Sequence, residues 1–377
     1  MTVLFTPLDV GDITFTNRIG ECVLPADTKR VPNNVMKNLQ RALSGAGLIL
    51  TEATLILSQG AQYDRSPGIW NMEQVAEWRK ITNMVHLTRN KIYCQIRTAD
   101  AVYRVHFLTS PSSCGMPVYG PSAIPARAQG NISSFHELRD AESFFSDKPN
   151  EVPDPTILIK LFKATAKNAK LAGFDGVEYK LDISACGERF PCSPVSGWGR
   201  DGENCARFGP EVLKLLVVFG CNVSLKISLG KSLWGGYNDI GMHLDDTAQT
   251  FSYFLSEADK LKSLYIMLSQ YIPHLDPMID GKERGTPHDP VSTYAKLIHN
   301  AKTFVVGGVT PEEAEELAKT GEVNGAFFGM SWLTHPDLAK RIQHSKRIDN
   351  MAAMSQLYGD ANVDPCLGYT NSPAVTY

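Results

Sequence analysis

With 377 residues, 43% of them hydrophobic and 20% charged, the chain carries ample apolar material for a large core. Its net charge of -3 supplies no basic surface for nucleic acid or an anionic membrane, and no apolar run approaches the roughly 20 residues that a spanning helix requires. Met1 to Phe5 lack both a basic segment and a long apolar stretch, so no secretory leader is expected and a cytoplasmic location is. The eight cysteines (22, 94, 114, 186, 192, 205, 221 and 366) are scattered without CxxC pairing, which favours reduced thiols over a disulfide framework or a metal centre.

In chain order, Phe5 to Thr16 alternates about a turn at Gly11-Asp12 and reads as a short hairpin. Strand candidates then recur at Ile19–Leu24, Leu48–Thr51, Ile92–Ile96, Val177–Tyr179, Val223–Ile227, Leu264–Leu268, Phe304–Val306 and Ala326–Phe328. Helical periods separate most of them, at Glu73–Leu87, Ile157–Leu171, Pro210–Phe219, Thr247–Leu261, Val291–His299 and Pro311–Lys319. Alternating strands and helices imply parallel βαβ units, and eight of them imply a (β/α)8 barrel formed as one domain over residues 1–377. A doubly wound open sheet is the alternative; no GxGxxG follows the first strand to support it. Long connections after strands 3 and 4, Arg97 to Asp154 and Leu181 to Phe208, are expected to lie over the C-terminal mouth of the barrel.

The handover from helix to strand at Gly173-Phe174-Asp175-Gly176-Val177-Glu178-Tyr179 puts Lys180 to Ile183 at the C-terminal end of the fourth strand, where barrel chemistry sits. Lys180 can polarise a carbonyl or, if desolvated, take part in acid–base or imine chemistry; a salt bridge with Asp182 or Glu178 is its plainer role. Asp182 is a candidate general base or a surface carboxylate. Tyr103, just past the third strand, is a candidate proton donor, and Tyr179 and Trp198 are candidate pocket walls.

Several local patterns then line up with one family: Leu4-Phe5-Thr6-Pro7-Leu8, Asn17-Arg18-Ile19, Gln40-Arg41-Ala42, Gly47 through Thr54, Ser66-Pro67-Gly68-Ile69-Trp70, Gln74-Val75-Ala76-Glu77-Trp78, Gly120-Pro121-Ser122-Ala123-Ile124-Pro125, Ala172 through Glu178, Glu203-Asn204-Cys205-Ala206-Arg207-Phe208, Gly307-Gly308 and His335-Pro336-Asp337-Leu338. In this order and over nearly the whole chain, they resemble the old yellow enzymes, FMN-dependent ene-reductases on a (β/α)8 barrel.

The resemblance implies that Gln95 pairs with the pyrimidine edge of the flavin and that Lys226 faces its N1–C2 carbonyl. Gly307, Gly308 and Gly329 would offer backbone to the phosphate, and Ala53 falls in the matched segment after the second strand. Four departures stand against the family pattern. Pro25 replaces the threonine at the flavin C4 oxygen, and Met330 replaces the phosphate-binding arginine. Lys180 and Ile183 replace the His/Asn pair that holds the substrate carbonyl, and Ala185 replaces the proton-donating tyrosine. The implied function is a tailoring enzyme of specialised metabolism that reduces or isomerises a small unsaturated carbonyl compound with FMN and NADPH. A flavin-independent cyclase or isomerase in the vacated pocket, and a non-catalytic binding protein, are the alternatives.

Overall fold

The computed structural model describes residues 2–22, 35–58, 67–97, 119–120, 150–182, 207–228, 244–272, 278–279, 282–283, 288–352 and 367–377. A hairpin opens the chain: β1 (Leu8–Val10) pairs antiparallel with β2 (Ile13–Phe15). Eight parallel strands follow. They are β3 (Ile19–Cys22), β4 (Leu48–Leu50), β5 (Ile92–Arg97), β6 (Gly176–Asp182), β7 (Val223–Ser228), β8 (Tyr265–Ser269), β9 (Lys302–Val306) and β10 (Gly325–Phe328). Consecutive strands pair in parallel; β10 returns to β3, and β4 pairs with β5, which closes the ring into the expected barrel.

Helices fill the crossovers because their apolar stripes need a sheet to cover them. They are α1 (Val35–Leu43), α2 (Met72–Leu87), α3 (Pro155–Leu171), α4 (Phe208–Val218), α5 (Leu244–Lys260), α6 (Pro290–Tyr294), α7 (Pro311–Thr320), α8 (Met330–Thr334) and α9 (Leu338–Gln343). Local signals set several starts. Asn71 and Gln74 cap α2 reciprocally, Asp154 accepts from Thr156 N before Pro155, and Thr310 accepts from Glu313 N before Pro311. The helical period read over Val291–His299 resolves into α6 and a 3-10 turn, Ala295–Leu297. Most of the two long connections lies outside the described residues; within the first, Tyr119–Gly120 and Asn150–Glu151 pair in parallel.

Alternation along the strands divides the core in two. Ile92, Cys94 and Ile96 of β5, and Val177, Tyr179 and Leu181 of β6, face the helices. Leu48, Leu50, Tyr93, Tyr265, Met267, Phe304, Val306 and Phe327 fill the barrel interior. The hairpin contributes Leu8, Val10 and Phe15 to that interior cluster and so plugs one end. Gly20 is required by this packing: a Cβ there would lie 2.3 Å from the Phe327 ring. Aromatic rings dominate the plug, with Tyr265 edge-on to Phe304 at 5.3 Å and Phe304 edge-on to Phe327 at 5.2 Å.

Candidate functional site

Above this apolar layer the interior turns polar. β6 runs three residues further than the Val177–Tyr179 read from the sequence, so Lys180 and Asp182 are strand residues rather than residues beyond its end. Period-two alternation then sends Glu178 and Lys180 inward and Tyr179 outward. Tyr179 is 2% exposed and its ring meets Phe162 of α3 edge-on at 5.0 Å. It belongs to the helix-facing core, which corrects the expectation that it walls the pocket.

Glu178 is wholly buried and is held from two strands. Gln95 Nε2 of β5 donates to its Oε1 at 2.7 Å, and Tyr265 OH of β8 donates to its Oε2 at 2.8 Å. Burial pushes the Glu178 carboxyl up from its ordinary value; the charge of Lys226, the two hydrogen bonds and the charge of Lys180 pull it back in part. Burial, then the adjacent carboxylate, drives Tyr265 well above the ordinary phenol value, so it serves as a fixed donor and not as an exchangeable acid.

Lys180 of β6 is paired in register with Lys226 of β7, as Glu178 is with Ser224. Both lysines are half-buried, and both act on the charge of Glu178, which places them on the inner face. Lys226 Nζ reaches across the barrel and donates to Cys22 Sγ of β3 at 3.3 Å.

Gln95 is 4% exposed, and its amide lends one N–H to Glu178. An amide so placed suits a ligand with an amide edge. Gly307 and Gly308 follow β9 with φ of 100° and 69°, conformations that only glycine adopts without strain. Their backbone is bare of side chains and suits close approach of an anion. Gly329 immediately precedes α8, whose first residue is Met330; residues 329–334 contain no cationic side chain. Ala53 is half-buried just past β4.

Of the expected site residues, Gln95, Lys180 and Lys226 thus come together around Glu178, while Gly307, Gly308 and Gly329 sit at the ends of β9 and β10. Pro25, Tyr103, Ile183, Ala185 and Trp198 lie outside the described residues, and only the backbone of Asp182 is described. The expectation assigned no site role to Glu178, Tyr265 or Cys22. The signal for Glu178 was present: a carboxylate in the middle of an otherwise apolar buried strand demands partners.

A family model described as the NADH:flavin oxidoreductase / NADH oxidase family matches residues 3–349. Among curated relatives, the NADP-dependent oxidoreductase lnbE of Aspergillus flavus is 28% identical, over 91% of this chain and 89% of its own. A probable inactive reductase, easA, of Epichloe festucae var. lolii is 27% identical, over 90% of this chain and 88% of its own. Among solved structures, the old yellow enzyme homologue from Zymomonas mobilis has a TM-score of 0.77 at 21% identity, covering 99% of each chain; at that identity the likeness concerns the fold alone.

Proposed function

Because the chain belongs to the NADH:flavin oxidoreductase / NADH oxidase family, the old yellow enzymes, we propose that it binds FMN at the barrel mouth. There it acts on a small unsaturated carbonyl compound with NADPH as reductant. The supporting observation is the trio Gln95, Glu178 and Lys226. A buried carboxylate fixes the orientation of an amide suited to a pyrimidine edge, beside a cation suited to a ring that gains negative charge on reduction. FMN, when bound, supplies the hydride. Gln95 holds the ring edge, Lys226 offsets its charge, and Gly307 and Gly308 approach the phosphate. Lys180, next to Lys226 on the neighbouring strand, polarises the substrate carbonyl in place of the His/Asn pair.

A second reading rests on Met330, whose place at the head of α8 leaves the phosphate side without the arginine of the family pattern. On that reading the pocket guides a flavin-independent isomerisation or cyclisation. The visible absorption spectrum of the purified protein, after dialysis against excess FMN and gel filtration, separates the two. A retained flavin band that NADPH bleaches supports the first reading. A colourless protein excludes it and favours the second.

A further inference from the structure

Cys22 of β3 and Lys226 of β7 stand on opposite sides of the barrel. Round the ring they are separated by β4, β5 and β6 in one direction and by β10, β9 and β8 in the other. Their side chains nevertheless meet: Lys226 Nζ donates to Cys22 Sγ at 3.3 Å, and both residues are half-buried rather than enclosed. The other two free thiols among the described residues are placed differently. Cys94 is fully buried on the helix-facing side of β5, where burial pushes its thiol up to about 12. Cys221 sits just before β7 against the same outer core, its thiol also raised by burial. Cys22 instead packs against the interior cluster. Among the described residues, the group that meets this sulfur is therefore an amine and not a second thiol. A partly exposed cysteine beside a lysine is a setting in which thiols are readily oxidised.

We infer that Cys22 and Lys226 form an oxidation-triggered cross-link, a direct Sγ–Nζ bond made when hydrogen peroxide reaches the mouth of the barrel. The first step uses one peroxide. An oxygen atom passes to the thiol, which becomes a sulfenic acid; water is released, and sulfur loses two electrons to the peroxide. In the second step the Lys226 ammonium gives a proton to solvent and its nitrogen lone pair attacks the sulfur. The S–O bond breaks, and a further amine proton leaves with the oxygen as water. No second oxidant is used. The product is a sulfenamide, the kind of bond that sulfenic acids also make to backbone nitrogen. A thiol reductant reverses it by attacking the sulfur and returning the lysine amine. The cross-link goes beyond the flavin reading and does not need it, because the pair alone makes the bond. Where that reading holds, the bond consumes the cation assigned to the flavin edge, so oxidation turns the site off. It also ties β3 to β7 across 204 residues of chain, which restricts the unfolded state.

The test treats the purified full-length protein with a small excess of hydrogen peroxide, then digests it without reductant and maps the peptides by mass. The expected result is a linked pair of peptides joining Cys22 to Lys226, lighter than their sum by two hydrogen atoms and parted again by dithiothreitol. Oxidised protein should also melt at a higher temperature than reduced protein, and dithiothreitol should erase the gain. Cys22→Ser and Lys226→Arg are each expected to abolish the linked pair and the thermal gain. In Lys226→Arg the sulfenic acid lacks its amine partner, so its capture by dimedone should rise several-fold, and prolonged peroxide should carry the sulfur on to sulfinic acid. In the wild-type protein, Cys22 left as a thiol, oxidised to sulfinic acid beside an unmodified Lys226, or joined to another cysteine would overturn the proposal. A linked pair that carries one additional oxygen atom would overturn the direct S–N bond. FMN binding is measured separately by absorption. A colourless protein that gives the linked pair defeats the flavin reading alone, and a flavin-loaded protein that gives none defeats this inference alone.

Discussion

Gln95 donates its side-chain amide to Glu178 at 2.7 Å across the seam between β5 and β6, and both side chains are buried. The carboxylate is the shared acceptor for Gln95 and Tyr265, so its removal strands two donors where water does not reach. Glu178→Ala is expected to destabilise the fold by about 1–3 kcal/mol for each donor left unmet. Glu178→Gln, which keeps the shape and an acceptor oxygen, is expected to lose markedly less. Urea unfolding with an unchanged slope measures both; equal losses would show that the carboxylate only fills space.

Asp337 Oδ1 accepts from Arg341 Nε at 2.8 Å, while its Oδ2 accepts from Val375 N at 2.9 Å and Tyr377 OH at 2.5 Å. Burial alone would raise this carboxyl, but the hydrogen bonds outweigh burial and hold it below the usual carboxylate value. A carboxyl depressed in the folded state adds stability that is present above its unfolded value and is lost as pH falls through the folded one. Asp337→Asn should therefore lower the thermal midpoint near neutral pH, by the equivalent of about 1–3 kcal/mol. The gap to wild type should close on acidification below the ordinary carboxylate range. A gap that widens in acid would refute the assignment.

The Ser224 hydroxyl, level with Glu178 on β7, is fully buried and has no hydrogen-bond partner among the described residues. An unmet buried hydroxyl carries its desolvation penalty without return, so Ser224→Ala is expected to raise stability by about 1 kcal/mol. Calorimetry would register this as a higher melting temperature. A drop would mean that the hydroxyl has a role in the polar layer.

Restoring the family pattern at the mouth with Lys180→His, Ile183→Asn and Ala185→Tyr is expected to raise reduction of a simple cyclic enone at least tenfold in FMN-loaded protein. The three side chains reinstate two carbonyl donors and a proton source. Absence of any gain in a flavin-loaded triple variant would count against the assumed alignment of this strand end.

The barrel was legible because each strand is a short apolar run between a helical period and a turn; all eight runs became barrel strands, within a few residues at each end. Lys180 was legible as a polar residue where an apolar run ends, and Lys226 through the family resemblance. Tyr179 was misplaced although its neighbour gave the answer, since adjacent residues on a strand cannot share a face. The trio around Glu178 was not legible: Gln95 and Tyr265 lie 83 and 87 residues away, and only the strand register brings them to one carboxylate. The pairing of Lys226 with Cys22, 204 residues distant, depends on closure of the whole ring.

The hairpin plug and the aromatic layer above it form a foundation that meets the polar mouth through the Tyr265 hydroxyl, donated to Glu178. Its packing is fixed by Gly20, Tyr265, Phe304 and Phe327, whatever stands at 180 or 226. A barrel built this way can exchange polar side chains at its mouth one at a time and keep the packing beneath them. The chemistry of the mouth is free to drift because the floor does not.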